Sequence, residues 1–323
     1  MERINFTDIT FNELVYKLGK ETGIDYKYYR RKFLEKRIKS RMIRLDLEDP
    51  QDYLNYISKQ PSEIEKFLSG FTINVTNFFR NLEVFERIQK VLCNALGSLN
   101  NGRKMLYYAN EKNKNGLYKA ESILTEEILK SMSLFEKLRY PKKKPNSELR
   151  IWSCPCATGE EPYSLAIMLD QLKEVYEYFP RTKLVASDID LESIQKAYSG
   201  FYSEESMKEI PPLYKSMYFY KVLGRFGDRY RICDYIKDKV EFVNEDVIKG
   251  HKKSLIYDII FCRYLFIYIN RPMRDKILKL FDQHMHEGAL LVLGKTETLF
   301  NSYMNFKLID SRNHIYIKKT TKN

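Results

Sequence analysis

The sequence predicts an α/β protein in which an all-α region precedes a parallel-sheet domain with a small antiparallel β subdomain. Two observations carry this prediction. Helical patterns fill the first part of the chain. From Glu148 onward, short apolar runs alternate with amphipathic stretches, which is typical of parallel strands joined by crossover helices. A chain of 323 residues is also long enough for two domains.

The helical domain is predicted over residues 1–70. Capping boxes, in which a hydroxyl and a glutamate satisfy the free amides of a helix start, occur at Thr10–Glu13 and Ser62–Glu65. Between them, Lys27 to Arg44 contains nine basic residues and one acidic residue. Apolar residues recur in this segment at helical spacing: Leu34, Ile38, Met42 and Leu45. The segment is therefore predicted to be an amphipathic helix with a basic outer face.

The basic helix dominates the interpretation of the formal net charge of +12. Such a run is often only a solvated helix face. It also suits an acidic partner, which can be a phosphate backbone or a carboxylate-rich protein helix. Composition leaves these alternatives open.

The remaining chain is predicted in three parts. Residues 71–99 form a linker and a helix. Residues 100–147, rich in Asn, Lys and Tyr, form a surface insertion with a helix over 120–139. Residues 148–323 form the sheet domain, with the β subdomain at 214–236. Strands of this domain are predicted at 150–154, 183–188, 240–244, 256–262, 289–293, 306–309 and 315–318, and helices near 162–176, 191–197 and 271–284.

Cysteine, histidine and hydropathy patterns narrow the class of protein. The five cysteines are an odd number and are predicted to be reduced and buried in a cytoplasmic protein. No metal site is expected, because Cys154-x-Cys156 has the wrong spacing for zinc and the four histidines form no ligand pattern. The chain has no apolar run of membrane-spanning length, and its first residues lack the layout of a signal peptide.

The segment Leu149–Leu169 is the most informative stretch and reads LRIWSCPCATGEEPYSLAIML. A short apolar strand, a loop with Gly159 and an amphipathic helix succeed one another, which places ligand space at the strand's C-terminal end. There is no G-x-G-x-x-G pattern, and Glu160 and Glu161 stand where a pyrophosphate would need bare amides. A phosphate-free cationic ligand such as S-adenosylmethionine fits this segment better than a dinucleotide.

Three further strand ends carry polar residues. Asp188 and Asp190 follow the second strand, where Asp188 is placed to accept both hydroxyls of a ribose and Asp190 to begin the next helix. Asp246 and Val247 follow the third strand and suit the amine and ring face of adenine. The fourth strand ends in Arg263-Tyr264, at the mouth of the same crevice.

Five blocks of this chain, in order, resemble the CheR-type chemotaxis receptor glutamate methyltransferases. They read RLDLEDPQDYLNYI, TINVTNFFRN, RIWSCPCATGEEPYSLAI, VASDIDLESIQKAYSGFYSEESMKEIPP, and DIIFCRYLFIYIN followed by GALLVLGKTETL. Together these blocks cover nearly the whole chain except residues 100–147, a segment much longer than the short link that the family usually has there. The resemblance implies a helical N-terminal domain and a Rossmann-like methyltransferase domain with an inserted antiparallel β subdomain.

The resemblance also implies an activity and its residues. The expected reaction moves a methyl group from S-adenosylmethionine to receptor glutamates, leaving S-adenosylhomocysteine. Arg80 and Tyr268 match the family's catalytic positions. The expected cofactor-binding residues are Asn74, Thr76, Arg80, Cys154, Glu160, Asp188, Asp246, Val247, Arg263 and Tyr264. Two of them depart from the family, which often has Asn at the position of Asp246 and usually has Asn at that of Tyr264.

The same resemblance identifies the acidic partner of the basic helix. Receptor methylation regions are helices rich in Glu and Gln, so Arg30, Arg37, Arg41 and Arg44 are expected to bind them. No nucleic acid is expected as a partner. The protein is expected to be a cytoplasmic monomer that reaches the membrane only through receptors.

Two other functions compete with this reading. A nucleic-acid methyltransferase would suit the basic charge. Amino methylation of bases usually relies on an (Asp/Asn)-Pro-Pro-(Tyr/Phe) box after strand four, whereas this chain has Cys262–Leu265 there and a similar string only at Pro211–Tyr214. The second alternative is a non-catalytic scaffold, toward which only Tyr264 points.

Overall fold

The computed structural model describes residues 4–71, 76–96, 148–176, 179–224, 227–251, 254–299 and 305–319. The predicted insertion at 100–147 therefore lies outside the described residues. The chain divides into two compact units: Met1–Asn74 with Tyr264–Ile277, and Val75–Arg263 with Leu278–Asn323. We call them the helical unit and the sheet unit. No described helix has the length and apolar character needed to cross a membrane.

Within its described residues, the helical unit contains four complete α-helices and a 3₁₀ turn at Tyr26–Tyr28, together with the first part of a helix that continues into the sheet unit. The helices are α1 Asp8–Thr22, α2 Arg31–Arg44, α3 Pro50–Lys59 and α4 Ser62–Phe71. Helix α4 begins at the predicted residue. The predicted start of α1 at Thr10 is wrong, because the Thr7 hydroxyl accepts the Thr10 amide at 3.1 Å and caps the helix one turn earlier.

The core of the helical unit forms as the apolar spacing predicts. Leu34, Ile38 and Met42 on α2 are fully buried. Buried aromatic rings pack together in this core: the ring centroid of Tyr26 lies 5.8 Å from that of Phe67 and 4.9 Å from that of Phe71. The outer face of α2 remains basic and exposed.

Residues 264–277 join the helical unit through backbone pairing. The Arg30 amide donates to the Tyr268 carbonyl at 2.8 Å, and the Asn270 amide donates to the Tyr28 carbonyl at 2.8 Å. The sequence analysis placed this segment in the sheet domain. Local patterns do not reveal the pairing, because its partners are separated by more than 200 residues.

The sheet unit is built on a seven-stranded sheet. Its strands are β1 Glu148–Ser153, β2 Arg181–Asp188, β6 Val240–Asn244, β7 Tyr257–Cys262, β8 Met285–Leu293, β9 Phe306–Asp310 and β10 Ile315–Lys318. Their order in the sheet is β6-β2-β1-β7-β8-β10-β9. Strands β1, β2, β6, β7 and β8 are parallel, and β10 pairs antiparallel to β8 and β9. Every predicted strand of this sheet is confirmed, and bounds differ by a few residues.

The other described helices are α5 Leu82–Leu96, α6 Glu160–Val175, α7 Leu191–Ser199, α8 Pro212–Tyr218, α9 Asp234–Lys237 and α10 Arg271–Gln283, the last of which crosses the boundary between the units. Helices α6 and α7 contact strands β2 and β6, as expected for strands joined by crossovers. Helix α6 is buried along most of its length, which accounts for its uniformly apolar middle.

The small antiparallel sheet contains β3 Phe201–Ser203, β4 Phe219–Val222 and β5 Arg229–Ile232 in the order β3-β5-β4. Strands β4 and β5 confirm the predicted β subdomain. Strand β3 lies upstream of the predicted range, because three residues are too few to give a periodic pattern. The start of that range is helical instead, since Pro212 occupies the first turn of α8.

Candidate functional site

The C-terminal ends of four parallel strands place the predicted polar residues along one edge of the sheet unit. Neighbouring strands β6, β2, β1 and β7 end at Asn244, Asp188, Ser153 and Cys262. In open α/β sheets, ligands bind at this edge, where the strand order reverses. The topology therefore confirms the predicted arrangement of strand ends.

The loop after β1 is held by the end of β2. The Cys156 amide donates to the Ser187 carbonyl at 2.9 Å, and the Ala157 amide donates to Asp188 Oδ2 at 2.8 Å. Cys154 precedes a cis peptide bond to Pro155, and its thiol is fully buried. Burial raises the pKa of the Cys154 thiol well above its usual value, so the thiol stays neutral.

Gly159 turns the loop into α6. Its φ of 94° is a left-handed conformation that favours glycine, and an added Cβ would lie 2.8 Å from the Cβ of Ala197. The Tyr202 hydroxyl donates to the Thr158 carbonyl at 2.9 Å and fixes the loop from the other side. Glycine serves here for close packing of helix and loop.

Glu160 begins α6 with a buried carboxylate. Thr158 Oγ1 donates to its Oε2 at 2.6 Å, and Ser206 Oγ donates to its Oε1 at 3.3 Å. Burial raises the pKa of Glu160 above its usual value, although the two hydroxyls favour the ionised form. An acceptor at this helix start suits a hydroxyl or ammonium group and repels a phosphate.

Asp188 and Asp190 divide the two roles expected of them. Asp190 caps α7, because its carboxylate accepts the Glu192 amide at 3.1 Å and the Ser193 hydroxyl at 2.7 Å. That part of the prediction is confirmed. Asp188 accepts the Asp190 amide at 3.0 Å through Oδ1, and burial raises its pKa to about 6. Its role as a ribose ligand stays a prediction.

The segment after β6 is tied to the end of β2. Asn244 Nδ2 donates to the carbonyls of Asp188 and Ile189, both at 3.0 Å. Asp246 is half-buried, as is Val247, and its Oδ1 accepts the Ile248 amide at 2.9 Å. The two residues predicted to bind adenine are thus held beside the strand that ends in Asp188.

A buried polar chain next to this segment is a feature that the sequence analysis missed. Glu245 Oε1 lies 2.8 Å from His251 Nδ1, and His251 Nε2 lies 2.7 Å from the Tyr257 hydroxyl. The His251 ring stacks 4.0 Å from the ring of Trp152. No local pattern signals this chain, because its members are six residues apart and only Tyr257 lies in a strand.

Arg263 is buried, and its guanidinium donates to two side chains and one backbone carbonyl. Its Nη1 donates to Glu161 Oε2 at 3.1 Å, and its Nη2 donates to the Arg80 carbonyl at 3.0 Å and to Asn81 Oδ1 at 2.6 Å. Ser153 Oγ donates to the other oxygen of Glu161 at 2.7 Å. Sequence reasoning missed Glu161 and Asn81 as functional candidates.

The linker positions are only partly described. Asn74 lies outside the described residues, whereas Thr76 and Arg80 are half-buried residues in the stretch before α5. The Phe79 amide donates to Ser164 Oγ at 2.8 Å, which anchors this stretch to α6.

The other predicted site residues belong to the helical unit. Tyr264 adopts a φ of 63°, a left-handed conformation that Asn tolerates better than Tyr. Tyr268 is half-buried in a turn, and its ring centroid lies 4.7 Å from that of Phe33.

The four predicted substrate-binding arginines differ in exposure. Arg30 and Arg44 are exposed, whereas Arg37 is half-buried, which lowers its pKa. Arg41 is a correction, because its guanidinium is buried and donates to both oxygens of Glu63 at 2.7 Å. A guanidinium that is satisfied inside the unit does not form part of an exposed docking face.

The hydrogen-bond acceptors at the strand edge fit S-adenosylmethionine. Glu160 and Asp188 are buried acceptors for hydroxyl or ammonium groups, and the glycine in the loop packs against a helix instead of opening a phosphate cradle. Among the described residues, no cluster of three or more His, Cys, Asp or Glu could hold a metal ion.

Comparison with known proteins gives the same result. Residues 121–315 match the family "CheR methyltransferase, SAM binding domain", and residues 9–72 match "CheR methyltransferase, all-alpha domain". The chain is similar to chemotaxis protein methyltransferase 2 of Vibrio cholerae, with 26% identity over 93% of this chain and 88% of that protein. It is also similar to the chemotaxis protein methyltransferases of Borreliella burgdorferi (25%; 92% and 90%) and Salmonella typhimurium (26%; 95% and 90%).

The first of these matches covers more than half of the chain and includes every described cofactor-edge strand from β1 to β8. The predicted cofactor, S-adenosylmethionine, and the Rossmann-like methyltransferase fold are thereby confirmed. The chain belongs to the CheR methyltransferase family.

Proposed function

We propose that this protein transfers a methyl group from S-adenosylmethionine to glutamate side chains of chemoreceptors and forms methyl esters in sensory adaptation. The observation that carries the proposal is the similarity, over 92–95% of the chain, to proteins named chemotaxis protein methyltransferase. The buried acids at the strand edge support it, because they suit the cofactor's hydroxyls and amines. The reaction takes place in the cytoplasm, with the enzyme acting as a monomer.

The acceptor needs little activation. A glutamate side chain has an ordinary pKa of about 4.3 and is already ionised at neutral pH, so no general base is required. When bound, the cofactor supplies a methyl group on a sulfonium, and transfer is an in-line displacement that leaves a neutral thioether. The protein's task is therefore to position and desolvate the carboxylate.

Two residues are assigned to the acceptor. Arg80 holds the incoming carboxylate through charge-assisted hydrogen bonds, and Tyr268 orients it by a hydrogen bond. Asp188 takes the ribose hydroxyls, Asp246 takes the adenine amine, and Val247 covers the ring. The other cofactor contacts in the proposal are Asn74, Thr76, Cys154, Glu160 and Tyr264.

Receptor docking is assigned to the outer face of α2. Arg30 and Arg44 are exposed on or beside this helix, and Lys36 lies between them. Ile43 adds apolar surface, since 65% of it is exposed. This combination suits an amphipathic acidic helix better than a nucleic-acid backbone, which offers no apolar face.

The test is incubation of the protein with tritiated S-adenosylmethionine and a soluble cytoplasmic fragment of a chemoreceptor. We expect label on the fragment that base releases as methanol, and none on a fragment whose methylated glutamates are replaced by alanine. Label on RNA or DNA would identify a nucleic-acid methyltransferase. Cofactor binding without any turnover would identify a scaffold.

The variant that tests the catalytic assignment is Arg80→Ala. It should slow turnover by roughly 100-fold, because the acceptor carboxylate is no longer held in line with the methyl group. The dissociation constant for S-adenosylhomocysteine, measured by calorimetry, reports whether the cofactor site survives. Full activity of Arg80→Ala would remove this residue from the proposal.

A further inference from the structure

We propose that Arg263 is a positioning residue: it fixes the backbone at Arg80 and thereby controls the rate of methyl transfer without contacting the reacting atoms. The proposal rests on the proposed function, since it takes Arg80 as the group that holds the acceptor. The family resemblance implies Arg263 only as a cofactor contact. Its side-chain contacts point to a different role.

The planar guanidinium of Arg263 reaches two elements at once. One nitrogen binds the carboxylate of Glu161 at the start of α6, and the other binds the Arg80 carbonyl at 3.0 Å and the Asn81 side chain at 2.6 Å. Only 4% of Arg263 is exposed, so these bonds are shielded from water. A lysine carries the same charge but lacks this fork of donors.

The Arg80 backbone requires such support. The residues on either side of it, Phe79 and Asn81, have φ values of 54° and 60°, which place both in the left-handed region. Non-glycine residues persist in this region only where the surroundings determine their conformation. Arg263 supplies two of the required contacts.

Further side chains bind the same stretch. Glu209 accepts the Asn81 amide at 3.0 Å and the Asn77 side-chain amide at 3.3 Å. The Phe79 amide donates to Ser164 on α6. The backbone around Arg80 is thus held by several hydrogen bonds, and those from Arg263 come from the residue that follows β7.

The hydrogen bonds of Arg263 connect Arg80 to the C-terminal ends of the parallel strands, where the cofactor is expected to bind. Glu161 is itself fixed, because Ser153 at the end of β1 donates to its Oε1 at 2.7 Å. Arg263 directly follows β7. Loss of one bond in this chain would move the Arg80 backbone, and a displacement of about 1 Å at a catalytic group costs roughly 100-fold in rate.

Asn81→Gly is the most direct test. It removes the Oδ1 acceptor for Arg263, and glycine tolerates the φ of 60°. With the full-length protein and the receptor fragment described above, we expect kcat to fall by about 10- to 100-fold. The dissociation constant for S-adenosylhomocysteine should change by less than about threefold, and Arg263→Lys should behave in the same way.

Two matched variants exclude general loosening. Asn81→Asp keeps an oxygen for Arg263 and tolerates positive φ, so it should restore most of kcat. Asn313→Gly is the same substitution at a buried Asn on the turn between β9 and β10, where Nδ2 donates to Asp310 Oδ2, and it should leave kcat unchanged. An equal loss of kcat in Asn313→Gly would overturn the proposal.

A double-mutant cycle decides whether Arg263 acts through Arg80. If it does, Asn81→Gly should slow an Arg80→Ala enzyme by less than about twofold, because coupled sites are not additive. Independent losses that multiply, or a normal kcat in both Asn81→Gly and Arg263→Lys, would overturn the proposal. If Arg80→Ala itself were fully active, the proposed function of Arg80 would fail instead.

Discussion

Each of the two units buries an arginine against a glutamate, but the two pairs differ in what else they touch. In the helical unit, Arg41 donates from two nitrogens to both oxygens of Glu63, and the Tyr53 hydroxyl adds a third bond at 3.1 Å. In the sheet unit, Arg263 donates from one nitrogen to Glu161 and from another to the Arg80 carbonyl and the Asn81 side chain.

The difference separates a structural charge from a positioning charge. The first pair joins side chains of α2, α3 and α4, so its effect ends inside a helix bundle. The second pair reaches the backbone of Arg80, which is proposed for catalysis, and the side chain of the next residue. Burial and a carboxylate partner alone do not distinguish the two; the remaining hydrogen bonds do.

The largest expected effect tests the structural side of this comparison. Arg41→Ala leaves the Glu63 carboxylate buried without its cation and should cost about 3–5 kcal/mol of unfolding free energy. Urea denaturation measures this loss. Where the variant is still folded, kcat should be unchanged, in contrast to Asn81→Gly. Arg44→Ala, an exposed control on the same helix, should stay within about 0.5 kcal/mol, and a comparable loss there would contradict the assignment.

The second effect concerns the acids of the sheet unit. Asp188 must be ionised to accept two ribose hydroxyls, and its pKa in the cofactor-free protein is raised to about 6. Affinity for S-adenosylhomocysteine should therefore fall by up to about tenfold per pH unit below 6. The unfolding free energy should change in the opposite direction. The usual pKa of this carboxyl is 3.8, so its ionisation in the buried site destabilises the folded protein as pH rises from 3.8 through 6.

Calorimetric titrations between pH 5 and pH 8 measure this dependence. Asp188→Asn should bind weakly and with a flatter pH profile. Glu160→Gln is measured in parallel, because burial also raises the pKa of Glu160 and its ionisation would change the affinity for S-adenosylhomocysteine in the same direction. An unchanged profile in Asp188→Asn would assign the pH dependence to another group.

The third effect concerns the residue that follows Arg263. Tyr264 lies at a φ of 63°, so Tyr264→Asn should relieve left-handed strain and stabilise the protein by about 1 kcal/mol. Thermal unfolding measures the gain. Tyr264→Phe keeps the strain and should show no such gain, and a destabilised Tyr264→Asn would mean that ring contacts outweigh the backbone.

The smallest effect tests the exposed charges of the helical unit. Arg30→Glu and Arg44→Glu should each weaken receptor binding by about 0.2–1 kcal/mol, because exposed ion pairs are weak and screened by salt. The KM for the receptor fragment measures this, and it should rise with ionic strength. The dissociation constant for S-adenosylhomocysteine should stay constant. Equal changes in both constants would contradict docking on α2.

Sequence patterns predicted those features that depend on neighbours in the chain. The Asp190 cap and the strand that ends in Asp188 were predicted correctly, because capping and strand alternation are local. The burial of Arg41 was not predicted, because its partner Glu63 lies 22 residues away on another helix. The same reason hid the bonds from Arg263 to residues more than 100 positions upstream.

Gly159 has a consequence for how this protein can vary. Its missing side chain lets the cofactor loop touch α7, and Tyr202 of the small sheet bonds the same loop. The small sheet and the loop therefore share one packing surface. Grafting a different subdomain between α7 and β6 would disturb the cofactor edge, so the subdomain and the loop are expected to be exchangeable only as a pair.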